Sequence, residues 1–380
     1  MSPPEPAAPR RLTIAAIGDV GLVGSGRRRA ARDGWEAPFA ALAPRLAAAD
    51  VAFANLEFPV GEPAWVKPGR SAEFFHDAEV PAALARAGVR VVSLANNHMM
   101  DCGPRGLART REACHAAGLL TMGAGGTLAG AREPARLVIA GQRTVWLAYA
   151  TATADAATAE RPGVAPLDAA LITEDLERWR PEADVLVVSA HWGSMYVDYP
   201  PPRVRELAEL LAEHGADLVL GHHPHVLQGI EQRGRATVLY SLGDAVFNAK
   251  AGDFHAEVGA LARLESAVIT VRFSEGAPRV DVAPMRLDAD GYPGEPEPGE
   301  KAAQERRLAG LSAGLADAAR RFALESAPSL LQYELQSLGT YVRQGRWDRV
   351  AKLLGSVRPR HLPLLWQAVS SRWKKRRTPA

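Results

Sequence analysis

Cysteine is almost missing from this chain: Cys102 and Cys114 are the only two in 380 residues, and they form no C-x-x-C pair. A disulfide scaffold or a thiolate metal site is therefore not expected, and two lone thiols fit a reducing compartment. Long apolar runs are missing too, none approaching the roughly 20 residues that span a bilayer. The opening stretch from Met1 to Arg10 is rich in Pro and Ala and lacks the apolar core of a secretory signal. The expectation is a cytoplasmic protein, peripheral to a membrane at most. Nor is there a charge of one sign: the formal net charge is +2, which gives no reason to expect a nucleic-acid partner. No internal repeat stands out.

What is present has the texture of a globular protein. Hydrophobic residues make up 47% and charged residues 23%, enough for a sizeable core in a large domain with a smaller extension. The apolar runs Leu12–Ile17, Val51–Ala54, Val89–Leu94, Val145–Ala150, Val185–Ala190, Leu218–Leu220 and Val238–Leu242 predict buried strands. Between them, Pro81–Ala87, Pro104–Ala117 and Pro202–His214 predict helices, each opening on Pro and closing before Gly. Such alternation implies an α/β sheet with helices on its faces.

After Phe247 the pattern changes. Ala260–Leu264, Ala267–Phe273 and Arg279–Leu287 predict strands with no helix between them, hence an antiparallel portion. Asp288–Glu300, ending PGEPEPGE, reads as a linker, and Lys301–Leu324 and Ser329–Leu354 read as helices. The organisation expected is a disordered stretch 1–11, a main domain 12–295 and a helical extension 296–380. From Arg349 onward there are nine Lys/Arg and no acid. This is either a solvated tail or, with Leu362, Leu364, Leu365, Trp366, Val369 and Trp373 interspersed, a peripheral contact with an anionic membrane surface.

Polar side chains gather at the ends of the predicted strands, where α/β sheets build their sites. The first strand ends Gly18-Asp19, the second Asn55-Leu56-Glu57, and the third Asn96-Asn97-His98 with Asp101 beyond. Two later ones end at His191 and at His222-His223-Pro224-His225. Singly, each has a plain explanation: Asp19 as a turn or capping residue, Asn96 and Asn97 bonding loop backbone, His191 as a satisfied core histidine. Together, carboxylate, amide oxygen and imidazole just past buried strands make a ligand set suited to Mn, Fe or Zn.

The blocks ANLE, SLANNHMMDCGPRGL, GAG, HWG, GADLVLGHHPHVLQGIE and YSLGD resemble the CapA family of poly-γ-glutamate capsule synthesis, within the calcineurin-like metallophosphatases, from about Leu12 to Pro293. The resemblance implies a four-layer α/β/β/α sandwich and two divalent metal ions. It implies Asp19 and His225 on a first metal, Glu57 bridging, and Asn97, His191 and His223 on the second. His98 takes the place of the histidine that serves the leaving group, with Asn97 and Asp101 in the same catalytic set. Asn96 and Asp101 orient that loop, and His222 stands behind the ligands. Three departures accompany it: Gly21 where metallophosphatases carry His, Met195 where the family shows Glu, and Asp244 where it shows Asn. Asp244 is therefore placed beside the ligands, able to add a carboxylate or repel an anion.

The chemistry implied is attack of a metal-activated water on a phosphoester or a γ-glutamyl-type amide, in a small-molecule, polyanionic or peptide-like substrate. A second reading is a metal-binding accessory subunit of a polymer-synthesis assembly that turns nothing over. A third, a metal-free structural relic, is disfavoured by the complete set His191, His223 and His225.

Overall fold

A computed structural model describes residues 11–326 apart from 69, 152–154, 249–262 and 275–276, together with the single positions 338, 342 and 347. The expected N-terminal disorder before Arg11, the helix Ser329–Leu354 and the basic tail lie outside the described residues, as does most of the expected strand Ala260–Leu264.

The strands, in chain order, are β1 Leu12–Gly21, β2 Val51–Leu56, β3 Val89–Ser93, β4 Leu120–Met122, β5 Ala124–Gly125, β6 Ala135–Ile139, β7 Gln142–Ala150 and β8 Gly163–Val164. Then come β9 Val185–His191, β10 Leu218–His222, β11 Ile230–Arg233, β12 Ala236–Leu239, β13 Asp244–Phe247, β14 Glu265–Phe273, β15 Arg279–Leu287 and β16 Pro293–Gly294. One sheet runs β16-β15-β14-β1-β2-β3-β4, with β13 also paired to β1. A second runs β11-β12-β10-β9-β7-β6, and β5 and β8 form a small third one. β1 to β4 are parallel, as are β7, β9, β10 and β12, while β14 to β16 supply the antiparallel portion.

Alternation along each strand decides which layer a side chain joins. In β9, Val185 and Val187 enter the core between the sheets, whereas Leu186, Val188 and Ala190 enter the core beneath the outer helices. β10 divides the same way, with Leu218 and Leu220 inward and Val219 outward. Phe53 of β2 and Trp146 of β7 stack across the two sheets, ring centroids 5.9 Å apart. Helices Gly24–Asp33, Ala43–Ala47, Glu79–Arg86 and Gly103–Ala116 cover one sheet, and Ala169–Trp179 and Pro202–Glu213 the other. This is the four-layer α/β/β/α arrangement. Strands buried on both faces read as unbroken apolar runs for this reason.

The segment read as a linker is held in place. Arg29 donates to Asp288 at 2.7 Å, Ser25 Oγ donates to Asp290 at 2.6 Å, and the Tyr292 hydroxyl donates to the Gly26 carbonyl at 3.1 Å. β16 then extends the sheet beside β15. The Pro and Gly of this stretch make turns between anchors rather than a free tether. The helix that follows, Pro298–Gly314, buries Leu311 in the outer core and donates from Gln304 Nε2 to the Ser266 carbonyl at 3.0 Å. No helix among the described residues is long and apolar enough to cross a membrane.

Candidate metal centre

Parallel pairing brings the strand ends to one edge of each sheet. Asp19 is in register with Asn55 on one side and Asp244 on the other, and His191 is in register with His222 in the facing sheet. The turn after β10 holds His223 at φ 93° and His225 at φ 55°. Residues with a Cβ rarely adopt these left-handed values, and such strain collects at functional sites. Both rings contact other site histidines or Phe247: His223 lies 4.8 Å from His191, and His225 lies 4.7 Å from Phe247, between ring centroids.

Asp19, Asn55 and Glu57 are fully buried. Asn55 Nδ2 donates to Asp19 Oδ1 and to Glu57 Oε2, each at 2.8 Å, so one amide holds two carboxylates. Asp19 Oδ1 also lies 2.9 Å from His222 Nδ1, and its Oδ2 accepts from the His223 backbone at 3.2 Å. His225 Nδ1 is 3.5 Å from Asp19 Oδ2 and 2.7 Å from Asp244 Oδ1. His191 Nε2 is 2.8 Å from Asn97 Oδ1 and 3.7 Å from Glu57 Oε1. Of all these side chains only Asn97 and His223 keep partial exposure, which marks the side open to solvent.

Burial would raise the Asp19 carboxyl, but its bond to His222 and the charges of His222, His225 and His191 hold it well below the ordinary range. Glu57 goes the other way, pushed well up by burial and then by the charge of Asp19. Burial and the neighbouring His223 press His191 well below the usual imidazole range, and burial with His225 takes His223 down to about 3. Neutral imidazoles with open lone pairs are the ligand form of histidine.

His98 stands at the edge of this group. Its Nδ1 donates to Asp101 Oδ2 at 2.7 Å, and its ring lies between Phe58 at 4.8 Å and Phe74 at 5.1 Å. Asn96 Oδ1 accepts from the backbone of His98 at 3.1 Å and of Met99 at 2.7 Å, and its Nδ2 donates to the Leu56 carbonyl at 2.8 Å. Asn96 therefore ties the turn carrying Asn97 and His98 to the strand carrying Glu57.

The donor set fits divalent cations. Ligand atoms of Asp19, Glu57 and His225 lie within 4.8 Å of one another. Glu57 Oε1, His191 Nδ1 and His223 Nδ1 are buried without a hydrogen-bond partner, a condition rare in proteins unless something else satisfies the atom. At position 21, a Cβ would come within 2.4 Å of the Phe247 ring, so the ring stands where a side chain there would begin.

Every residue proposed from sequence lies in this region, with Asp101 behind His98 and His222 behind Asp19. The sequence reading missed Asn55 as a participant, although its two-residue spacing from Glu57 places both on one strand face. It also missed Arg70, whose Nε is 2.8 Å from Asp101 Oδ1, because loop residues carry no periodic signal.

A family model described as "Bacterial capsule synthesis protein PGA_cap" matches residues 13–249. The "Capsule biosynthesis protein CapA" of Bacillus anthracis is 28% identical over 308 residues, covering 78% of this chain and 72% of that protein. The "PGA biosynthesis protein CapA" of Bacillus subtilis is 29% identical over 241 residues, covering 62% of this chain and 63% of that one. Among solved structures, a candidate 5'-nucleotidase of Staphylococcus aureus in complex with alpha-ketoglutarate superposes with a TM-score of 0.48 at 12% identity, over 79% of this chain and 58% of that one. With a family match over more than half of its length, the chain belongs to the bacterial capsule synthesis protein family PGA_cap.

Proposed function

We propose that this chain is a metal-dependent hydrolase acting on a phosphoester or a γ-glutamyl-type amide. The observation that carries the reading is the His98–Asp101 pair set beside Asn97, whose side chain meets His191. A purely structural centre has no need of an oriented histidine at its rim.

Asp19 and His225, Glu57 between, and Asn97, His191 and His223 would hold two divalent cations, Mn, Fe or Zn by the softness of the donors. When bound, they supply an acidified water and a clamp for negative charge. The remaining work falls to the chain itself. Asp101 accepts from Nδ1 of His98 and so orients the ring; with a second proton on Nε2, the imidazolium hands that proton to the leaving oxygen or nitrogen. Phe58 and Phe74 cover the ring and keep bulk water from that proton. Asn55 keeps Asp19 and Glu57 together before any cation arrives.

The test is metal content of the purified protein with metal-by-metal rescue of hydrolysis on generic phosphoester and γ-glutamyl substrates. His98→Ala should keep metal and lose roughly 10²–10⁴ in rate. His191→Ala/His223→Ala should lose metal beyond the roughly 10–100-fold of outer-shell changes. Metal retained by that double variant sinks the centre as drawn. Bound metal with no turnover on any substrate class would favour the accessory role instead.

A further inference from the structure

Between Gly61 and His76 the chain makes a loop that delivers two side chains to His98. Phe74 covers its ring, and Arg70 reaches the carboxylate behind it. Arg70 Nε sits 2.8 Å from Asp101 Oδ1, a close ion pair rather than an aligned hydrogen bond. A second nitrogen, Nη2, donates to the Asn97 carbonyl at 3.3 Å and lies 4.0 Å from Asp155 Oδ2. Asp155 is itself taken by Lys67 at 2.8 Å. The remaining nitrogen, Nη1, has no partner among the described residues, and 35% of the Arg70 side chain is exposed. Asp101, in contrast, is wholly buried.

Arg70 is gripped on two sides, by the residue that orients His98 and by the backbone of Asn97, with 35% of its side chain exposed. A guanidinium fixed in this way still offers the N–H groups of Nη1, and charged N–H donors suit carboxylate and phosphate oxygens. Little rotamer entropy is then lost on binding.

We propose that Arg70 is a substrate-binding residue, its free Nη1 edge receiving a carboxylate or phosphate oxygen carried next to the bond that is cut. The inference rests on the hydrolase reading and narrows it: the substrate bears an anionic group close to its scissile bond. Uncharged esters and amides are poor substrates on this account.

The test uses the full chain, with and without Mn, and follows binding of three probes by calorimetry: inorganic phosphate, glutarate and the uncharged glutaramide. Arg70→Ala should weaken glutarate or phosphate by about ten- to a hundredfold, the worth of one charged hydrogen bond, and leave glutaramide unchanged. Arg70→Lys, which keeps a charge beside Asp101 but has one nitrogen to share between Asp101 and an anion, should recover part of the loss. Loss confined to glutarate identifies a carboxylate, and loss confined to phosphate a phosphate. Unchanged anion affinity in Arg70→Ala overturns the proposal, as does equal weakening of charged and uncharged probes. If Arg70→Ala does not fold, Arg70→Lys decides alone by the same comparison. Wild type that binds no metal would sink the hydrolase reading, while the Arg70 effect in metal-free protein stands or falls separately.

Discussion

Oδ1 of Asp244 accepts a hydrogen bond from Nδ1 of His225 at 2.7 Å. Burial would hold the ring neutral, but the charge and hydrogen bond of Asp244, with Glu57 and Asp19, raise it to about 10. Asp244 itself is lifted by burial to about 6. The pair is a built-in counter-charge at the edge of the candidate centre.

Asp244→Asn keeps the shape and removes the charge. Metal retention after dialysis should fall by roughly 10–100-fold, as for other partners of ligating histidines. Turnover of a dianionic monoester should meanwhile rise relative to a diester, because one repelling carboxylate is gone. An unchanged ratio, measured on protein saturated with metal, would mean that Asp244 does not face the substrate.

Asn55 is the second test. Its amide separates two buried carboxylates, so Asn55→Leu leaves both short of a donor. We expect metal-free protein to lose about 1–3 kcal/mol. Added Mn should restore much of that, since a ligand bound only by the folded state raises stability with its concentration. Melting curves of metal-free and metal-loaded protein read both effects, and a metal-free variant as stable as wild type would refute the role.

His76 gives a pH dependence away from the candidate ligands. Its Nε2 accepts from the Leu22 backbone at 3.1 Å, which only an unprotonated nitrogen can do, and burial lowers its pKa from 6.5 to about 4. The unfolded chain therefore binds this proton first. Stability from the neutral ring is fully present above pH 6.5 and is lost as pH falls toward about 4. At about 1.4 kcal/mol per pH unit, the loss reaches roughly 3 kcal/mol. Urea unfolding between pH 7 and 5 should show a shallower decline in His76→Gln than in wild type. Parallel declines would assign acid sensitivity to other groups.

The sheets were legible because strands covered on both faces must be largely apolar, as Val185–Val188 is. The candidate ligands stood out because Asp19, His191 and His223 interrupt or end such runs with residues that burial alone disfavours. Asp288–Glu300 was misread, since Pro and Gly announce turns without saying whether the turns are anchored. The bonds to Arg29, Ser25 and Gly26 that anchor it span more than 250 residues of sequence. Arg70 was invisible for a related reason: an exposed loop arginine looks the same whether it faces water or Asp101.

The candidate ligands are divided between the sheets. Asp19, Glu57 and Asn97 lie in or just past strands of one, and His191, His223 and His225 in or just past strands of the other. Neither half alone offers a complete coordination sphere, so tight cation capture must wait until the two sheets have docked. On the metal-centre reading proposed above, capture would then report the docking of the two sheets. A bound cation would also act as a clasp across the sandwich, and chelation should loosen one sheet from the other before either sheet comes apart.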